Sequence, residues 1–197
     1  ALLEYGNEAQ KQRHIRAIIN GESRWAQGYS EPGAGSDLAS LTTRAEIVGD
    51  EYRVNGAKIW TSGAERADHI FVLVTTDVTA KKQLGISFLL IPMASAGIRV
   101  EPLYAFNGKR LWNQVFFDDV MVPRSNRLGA ENQGWTVAQA VASVRAVADT
   151  TLDFLEQPVR GEDLAGMAAV AAASQTIVSA PSSGVRSTRP VMRWNSG

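Results

Sequence analysis

The chain has 197 residues, 45% of them hydrophobic, with 20 basic residues against 20 acidic ones and no cysteine. That length makes one domain, or one and part of another, and zero net charge supplies none of the basic field that nucleic acid or an anionic membrane requires. Without cysteine there are no disulfides, thiolate-zinc sites or thiol nucleophiles, and the longest apolar run, over 86–93, is far short of the ~20 residues of a membrane helix, so a soluble cytoplasmic protein is the expectation.

Asn7 and Gln10 are spaced as a capping box at the start of a helix predicted over 7–19. Ile15, Ile18 and Ile19, with Ala9 and Ala17, form its apolar stripe, and Gly21 is the stop. From residue 25 the period changes to two. Strands are predicted over 25–29, 45–48, 51–54, 57–60, 69–75, 86–91, 98–102 and 114–122, with Gly49-Asp50, Asn55-Gly56 and Ser62-Gly63 as turns. Short strands at this spacing predict a mainly antiparallel, sandwich- or barrel-like β domain. After Trp135 the helical period returns through Val137, Val141, Val144 and Ala148. A strand over 152–155, an Ala-rich helix over 162–173 and a strand over 176–178 follow, which is α/β alternation.

The predicted class is therefore α+β: a short helix, a β domain, then an α/β or helical C-terminal segment. The expected boundaries are 1–24, 25–131, 132–180 and an irregular tail over 181–197. Twelve of the fifteen aromatics lie in the first 131 residues, and the remainder is rich in Ala, Ser and Val. Together with a start in mid-element at Ala1, this predicts a fragment.

The most informative local feature is Ser30-Glu31-Pro32-Gly33-Ala34-Gly35-Ser36-Asp37. Its glycines let successive N–H groups converge and its serines add donors, a nest suited to pyrophosphate; the alternative is an ordinary Pro-Gly turn. Leu38 in place of a third glycine excludes the dinucleotide fingerprint. In Lys58-Ile59-Trp60-Thr61-Ser62-Gly63, a strand-end indole beside two hydroxyls can flank a flat heteroaromatic ring; the alternative is a core tryptophan before a turn. His14 and His69 have no serine–carboxylate arrangement around them and are expected to be satisfied or exposed. Asp118-Asp119 is expected on a solvated strand edge, its side chains on opposite faces. Lys81-Lys82 and Lys109-Arg110 are expected in solvated loops.

Taken together, these blocks resemble the acyl-CoA dehydrogenase family. The resemblance is carried by Tyr5-Gly6 through Gly21-Glu22, Trp25–Leu38 with its Glu-Pro-Gly-Ala-Gly-Ser-Asp core, and Val54-Asn55-Gly56-Ala57-Lys58-Ile59-Trp60-Thr61-Ser62-Gly63. It continues in Gly85-Ile86-Ser87-Phe88, Val115-Phe116-Phe117-Asp118-Asp119-Val120 with Val122-Pro123, and Gly129–Trp135. It covers about two-thirds of the chain and implies FAD and an acyl-CoA thioester, with α,β-dehydrogenation and transfer of electrons to an acceptor. By position it implies Gln27, Gly28, Tyr29 and Ser30 along the flavin ring, Gly35 and Ser36 toward the phosphates, and Ser36 toward acyl-CoA. It implies Trp60 beside the ring, with Thr61 next to it and Ser62 near the flavin N5. The family often has threonine where Ser30 and Ser62 stand. The family's glutamate base lies in a C-terminal helical domain expected to be missing here, and no glutamate surrounds Val144-Arg145, where some members place it. No catalytic residue is assigned and the chain is expected to be catalytically incomplete, its full-length parent a homo-oligomer.

From Asn132 onward, Asn132-Gln133-Gly134-Trp135-Thr136, Leu152–Pro158 and Glu162–Met167 resemble the mandelate racemase and muconate-cycloisomerase branch of the enolase superfamily. That resemblance implies a Mg²⁺-dependent lyase or racemase barrel, with Glu156 at the second ligand position. The first falls at Ala130 and the third in Ser179-Ala180-Pro181-Ser182, so no metal ligand set is assigned. Both families can carry Asn-Gln-Gly-Trp, and the expectation is a hybrid, recombined or inactive product joined there, the alternative being a divergent dehydrogenase with an unusual C-terminus.

Overall fold

The structure, a computed structural model, describes residues 1–148, 154–156 and 177–179, with side-chain surroundings as far as Val141. After a one-turn helix α1 (Leu2–Tyr5), Asn7 caps α2 (Glu8–Ile19). The Asn7 side chain accepts from the Gln10 amide at 2.9 Å and the Gln10 side chain accepts from the Asn7 amide at 3.1 Å. The buried face of α2 is not the expected isoleucine stripe. Ile18 and Ile19 are exposed, while Gln10 and His14 are buried. Polar satisfaction decides this: Gln10 Nε2 donates to the carbonyls of Ser125 and Arg127, each at 2.8 Å.

Eight strands make one mixed sheet: β1 (Trp25–Gly28), β2 (Arg44–Val48), β3 (Glu51–Lys58), β4 (His69–Thr75), β5 (Ile86–Pro92), β6 (Ile98–Tyr104), β7 (Arg110–Pro123) and β8 (Arg127–Leu128). Their order is β6-β7-β3-β2-β4-β5-β8, with β1 parallel to β4. The neighbours are otherwise antiparallel, apart from one parallel pair, Arg44 with Thr75, that joins β2 to β4. Inward residues of both halves, Tyr52, Val54, Val115, Phe117, Val120 and Val122 with Ala26, Ile70, Val72, Leu89 and Ile91, form a single apolar core. Every residue of β5 before Pro92 is buried, the pattern of a strand covered on both faces.

Asn55-Gly56 is not a turn. One strand, β3, runs through it, and the predicted strands over 51–54 and 57–60 are continuous as far as Lys58. Gly56 has φ +146, and a Cβ there would meet Thr43 Oγ1 at 2.6 Å, so a glycine keeps the strand straight under a close neighbour. Opposite it, Asp118 and Asp119 together face Asn55 in a bulge of β7. Both aspartates are exposed, but at a bulge in an interior strand and not on an edge. Asn55 and Asp119 exchange two hydrogen bonds of 2.9 Å across it.

His14 is buried in α2 and meets Trp25 edge-on at 5.1 Å and His69 edge-on at 5.2 Å, while Trp25 stacks on His69 at 4.6 Å. Burial lowers both imidazoles from their ordinary 6.5. His69 and Arg13 add to the effect at His14; at His69, Arg13 adds to it and Asp68 opposes it. An unfolded chain therefore binds protons that the folded one does not, and stability is complete above pH 6.5 and falls below it. Thermal melts from pH 7.5 to 5 followed by circular dichroism are expected to show that slope, and His69→Phe to flatten it.

The chain divides into two compact units, Ala1–Ala138 and Gln139–Gly197. Helix α3 spans Gly134–Ala148, and in the second unit β9 (Phe154–Glu156) pairs in parallel with β10 (Ile177–Ser179). These strands fall near the ones expected over 152–155 and 176–178. The helix expected over 162–173 and the tail over 181–197 lie outside the described residues.

Candidate flavin-facing segments

Two segments that are far apart in sequence meet at the C-terminal ends of β1 and β3. In β1, Gln27 is half-buried and paired with Phe71, and Gly28 is buried and paired with Val72. Tyr29 follows, half-buried, its ring edge-on to Phe71 and Phe88. The Ser30 carbonyl accepts from the Ile59 amide at 2.9 Å, which fixes the first segment against the second. Glu31 and Ala34 then exchange amide-to-carbonyl bonds of 2.9 and 3.1 Å around the Pro32-Gly33 turn. Gly35 and Ser36, just beyond that turn, are exposed.

In the second segment Trp60 is 56% exposed and has φ 59. A bulky side chain in the left-handed region is an outlier, and such strain concentrates at binding sites. Thr61 beneath it is 1% exposed. Its backbone exchanges hydrogen bonds with Asn113 at 2.9 and 3.0 Å. Its Oγ1 is buried and has no protein partner. Ser62 returns to the surface. The indole of Trp112 braces Trp60 edge-on at 5.4 Å. Asn113 completes the support: its amide donates to the Thr61 carbonyl at 2.9 Å and to Glu65 at 2.7 Å, and Arg110 donates to its Oδ1.

The charged groups that hold the two segments carry no role in the sequence expectations. Lys58 Nζ is 2.8 Å from Glu31 Oε1, and neither side chain reaches solvent. Against the upward push of burial, the ammonium of Lys58, the amides of Thr42 and Thr43 and the Thr42 hydroxyl hold the Glu31 carboxyl down at about 2. Burial pulls Lys58 down to about 8, which leaves it charged at neutral pH. Its signal in the sequence is a lysine in the inward row of β3 with Tyr52 and Val54.

Other candidates stay apart from this site. Lys82 is exposed and donates to Asp37 at 2.6 Å and Ser40 at 2.8 Å. A shallow cavity of about 410 Å³ beyond Ser62 is lined by Ala64, Glu65, Ala67, Met93, Val100 and Arg110, and none of the candidate flavin residues borders it. Among the described residues no group of three or more His, Asp or Glu could hold a metal ion, and no helix is long and apolar enough to cross a membrane.

Residues 26–120 match the family model described as acyl-CoA dehydrogenase, middle domain, and residues 127–186 match that of the enolase C-terminal domain-like family. The acyl-CoA dehydrogenase IpdE1 of Mycobacterium tuberculosis is 41% identical over 139 residues, covering 71% of this chain and 36% of that protein. The ChsE4–ChsE5 complex of the same organism is 35% identical with a TM-score of 0.67, over 77% of this chain and 44% of that one. A glutaryl-coenzyme A dehydrogenase, solved as a glutaryl-CoA complex, has a TM-score of 0.68 at 30% identity, over 75% of this chain and 37% of that one. The chain thus spans about a third of IpdE1, and the acyl-CoA dehydrogenase family model falls on the β domain.

Proposed function

The β domain of this chain belongs to the acyl-CoA dehydrogenase family, and from that premise we propose that it binds FAD and an acyl-CoA thioester as part of an α,β-dehydrogenase. The observation that carries this is the join of the two segments. The Ile59 amide bonds the Ser30 carbonyl, and Trp60, held in a left-handed conformation, stands exposed beside a buried hydroxyl without a partner. An exposed indole with hydroxyl donors on either side suits a flat ring with a polar edge.

When bound, FAD supplies the hydride acceptor for the β carbon of the thioester. The protein's task is placement. Trp60 flanks the ring, Ser30 and Ser62 offer hydroxyl donors to its edge, and Gln27, Gly28 and Tyr29 line its approach. Thr61 packs beneath. Gly35 and Ser36 present the exposed turn to phosphate oxygens, with Ser36 also toward the CoA moiety. No residue of this chain is proposed as the base that removes the α proton, and electrons pass to a separate acceptor. The full-length parent is proposed to be a homo-oligomer.

Titrating the protein into FAD is expected to quench flavin fluorescence; an unchanged signal at tens of micromolar protein would sink the proposal. Trp60→Ala removes an exposed ring and leaves the core alone. It is expected to weaken binding about three- to tenfold, the scale of one aromatic contact, with an unchanged melting temperature.

The enolase-like match of residues 127–186 supports a second reading for that segment, a Mg²⁺-dependent lyase or racemase. Of the three ligand positions implied by the resemblance, only Glu156 is a carboxylate; the others fall at Ala130 and in the stretch that begins with Ser179. One carboxylate holds Mg²⁺ poorly, so we propose that this segment carries no working metal site. Millimolar Mg²⁺ is expected to leave the thermal melt unchanged, and a rise of several degrees would restore the metal-dependent alternative.

A further inference from the structure

Lys58 ends β3 on the row of side chains that faces the core, where its predecessors Tyr52 and Val54 are aromatic and aliphatic. Its ammonium bonds Glu31 Oε1 at 2.8 Å and the Tyr29 carbonyl at 3.1 Å. Glu31 is saturated in turn. Oε1 also accepts from the Thr43 amide at 2.9 Å, and Oε2 accepts from the Thr42 amide at 2.6 Å and the Thr42 hydroxyl at 2.7 Å. One buried carboxylate therefore ties together the stretch after β1, the residues leading into β2, and the end of β3. Directly beyond Lys58, the Ile59 amide is bonded to Ser30.

Burying two charges is costly, and an apolar pair of equal volume would often hold the same space with equal or greater stability. A lysine and a glutamate do something that a leucine and a methionine would not. They fix the relative register of two backbone segments by directional bonds to defined atoms. Resting on the flavin assignment above, we propose that Glu31 and Lys58 are positioning residues that lock the segment bearing Tyr29 and Ser30 to the segment bearing Trp60 and Ser62. They set where the two serine hydroxyls stand relative to the indole. Both side chains are buried beneath these segments, so they act through the neighbours they hold.

The test compares the full chain with the double variant Glu31→Gln/Lys58→Met, in which no lone charge is left buried. Three readings are taken: unfolding by urea, hydrogen exchange at the Ile59 amide, and FAD titration with the absorption spectrum of the bound flavin. The expected result is a folded variant whose Ile59 amide exchanges at least tenfold faster, which binds FAD at least tenfold more weakly and shifts the flavin spectrum. A folded variant that keeps the wild-type affinity and spectrum, or the wild-type Ile59 protection, overturns the proposal. Should the double variant not fold, Glu31→Asp, which keeps the charge and draws the carboxylate back by one methylene from Lys58 and from its Thr42 and Thr43 donors, is read by the same criteria. Absence of FAD binding by the wild-type chain is a separate outcome: it overturns the flavin assignment and with it the role given to the pair.

Discussion

Replacing Lys58 alone by methionine is expected to destabilise the protein by about 3–5 kcal/mol, the range for breaking a buried ion pair from one side. The cost comes from the partner left behind. Glu31 would remain beneath the turn with its Thr42 and Thr43 donors but without a counter-charge, in a place that solvent does not reach. Glu31→Gln leaves the ammonium unpaired and is expected to act in the same direction. The double variant should recover most of the loss, so a double-mutant cycle by urea denaturation gives a coupling of several kcal/mol. Additive single losses would show that the pair contributes nothing by pairing. The same pair sets an acid limit. The folded carboxyl titrates at about 2 against an ordinary 4.5. Its contribution, about 3 kcal/mol, is therefore present above pH 4.5 and is lost as pH falls toward 2. In the double variant this part of the acid limb should vanish, while the slope below pH 6.5 from His14 and His69 should remain.

Much of this arrangement is legible in the residues, and the illegible parts share a cause. The capping box of α2 follows from a spacing of three and forms as expected. The bulge of β7 is also written locally. Inward apolar residues fall at Val115 and Phe117, then at Val120 and Val122, so the parity changes across Asp118-Asp119. A uniform strand over 114–122 cannot have that change. Asn55-Gly56 misleads because the pair is a strong hairpin signal, whereas here the glycine serves a close approach by Thr43. The face of α2 misleads in the same way, through distant partners: Gln10 and His14 are polar residues whose partners lie in the chain over 125–127 and in β1 and β4. Lys58 and Glu31 are likewise separated by 27 positions. Local pattern shows that an inward lysine needs an anion, but it does not say which one. Trp60 and Ser62 stand out by composition alone, yet the left-handed backbone that exposes the indole depends on the Thr61–Asn113 exchange with β7.

Substituting Gly134 by alanine is expected to cost about 3 kcal/mol or more, or to prevent folding, because the added carbon has nowhere to go. A Cβ there would lie 2.4 Å from Ser87 C, 2.6 Å from Phe88 N and 2.7 Å from Ser87 Cα. These are backbone atoms in the buried first half of β5, and no rotamer change relieves them. Overpacking against mobile side chains typically costs 1–3 kcal/mol; rigid backbone puts this site at or above that range. The start of α3 cannot lift away freely either. Asn132, at φ 64, donates its amide to Ser87 Oγ at 2.8 Å and accepts from Thr76 Oγ1 at 2.6 Å, and Gln133 bridges to Ile86. The Asn-Gln-Gly-Trp stretch shared with the enolase superfamily thus has a packing reason within the β domain. Its asparagine takes the left-handed position and its glycine the closest approach to the strand. Gly33→Ala, where an added Cβ meets nothing within 4 Å, is the control and should stay within about 0.5 kcal/mol of the wild type. Urea unfolding of the two variants side by side decides the matter. Equal stabilities would mean that Asn132–Trp135 does not seat against β5 as described, and that the β domain ends before it.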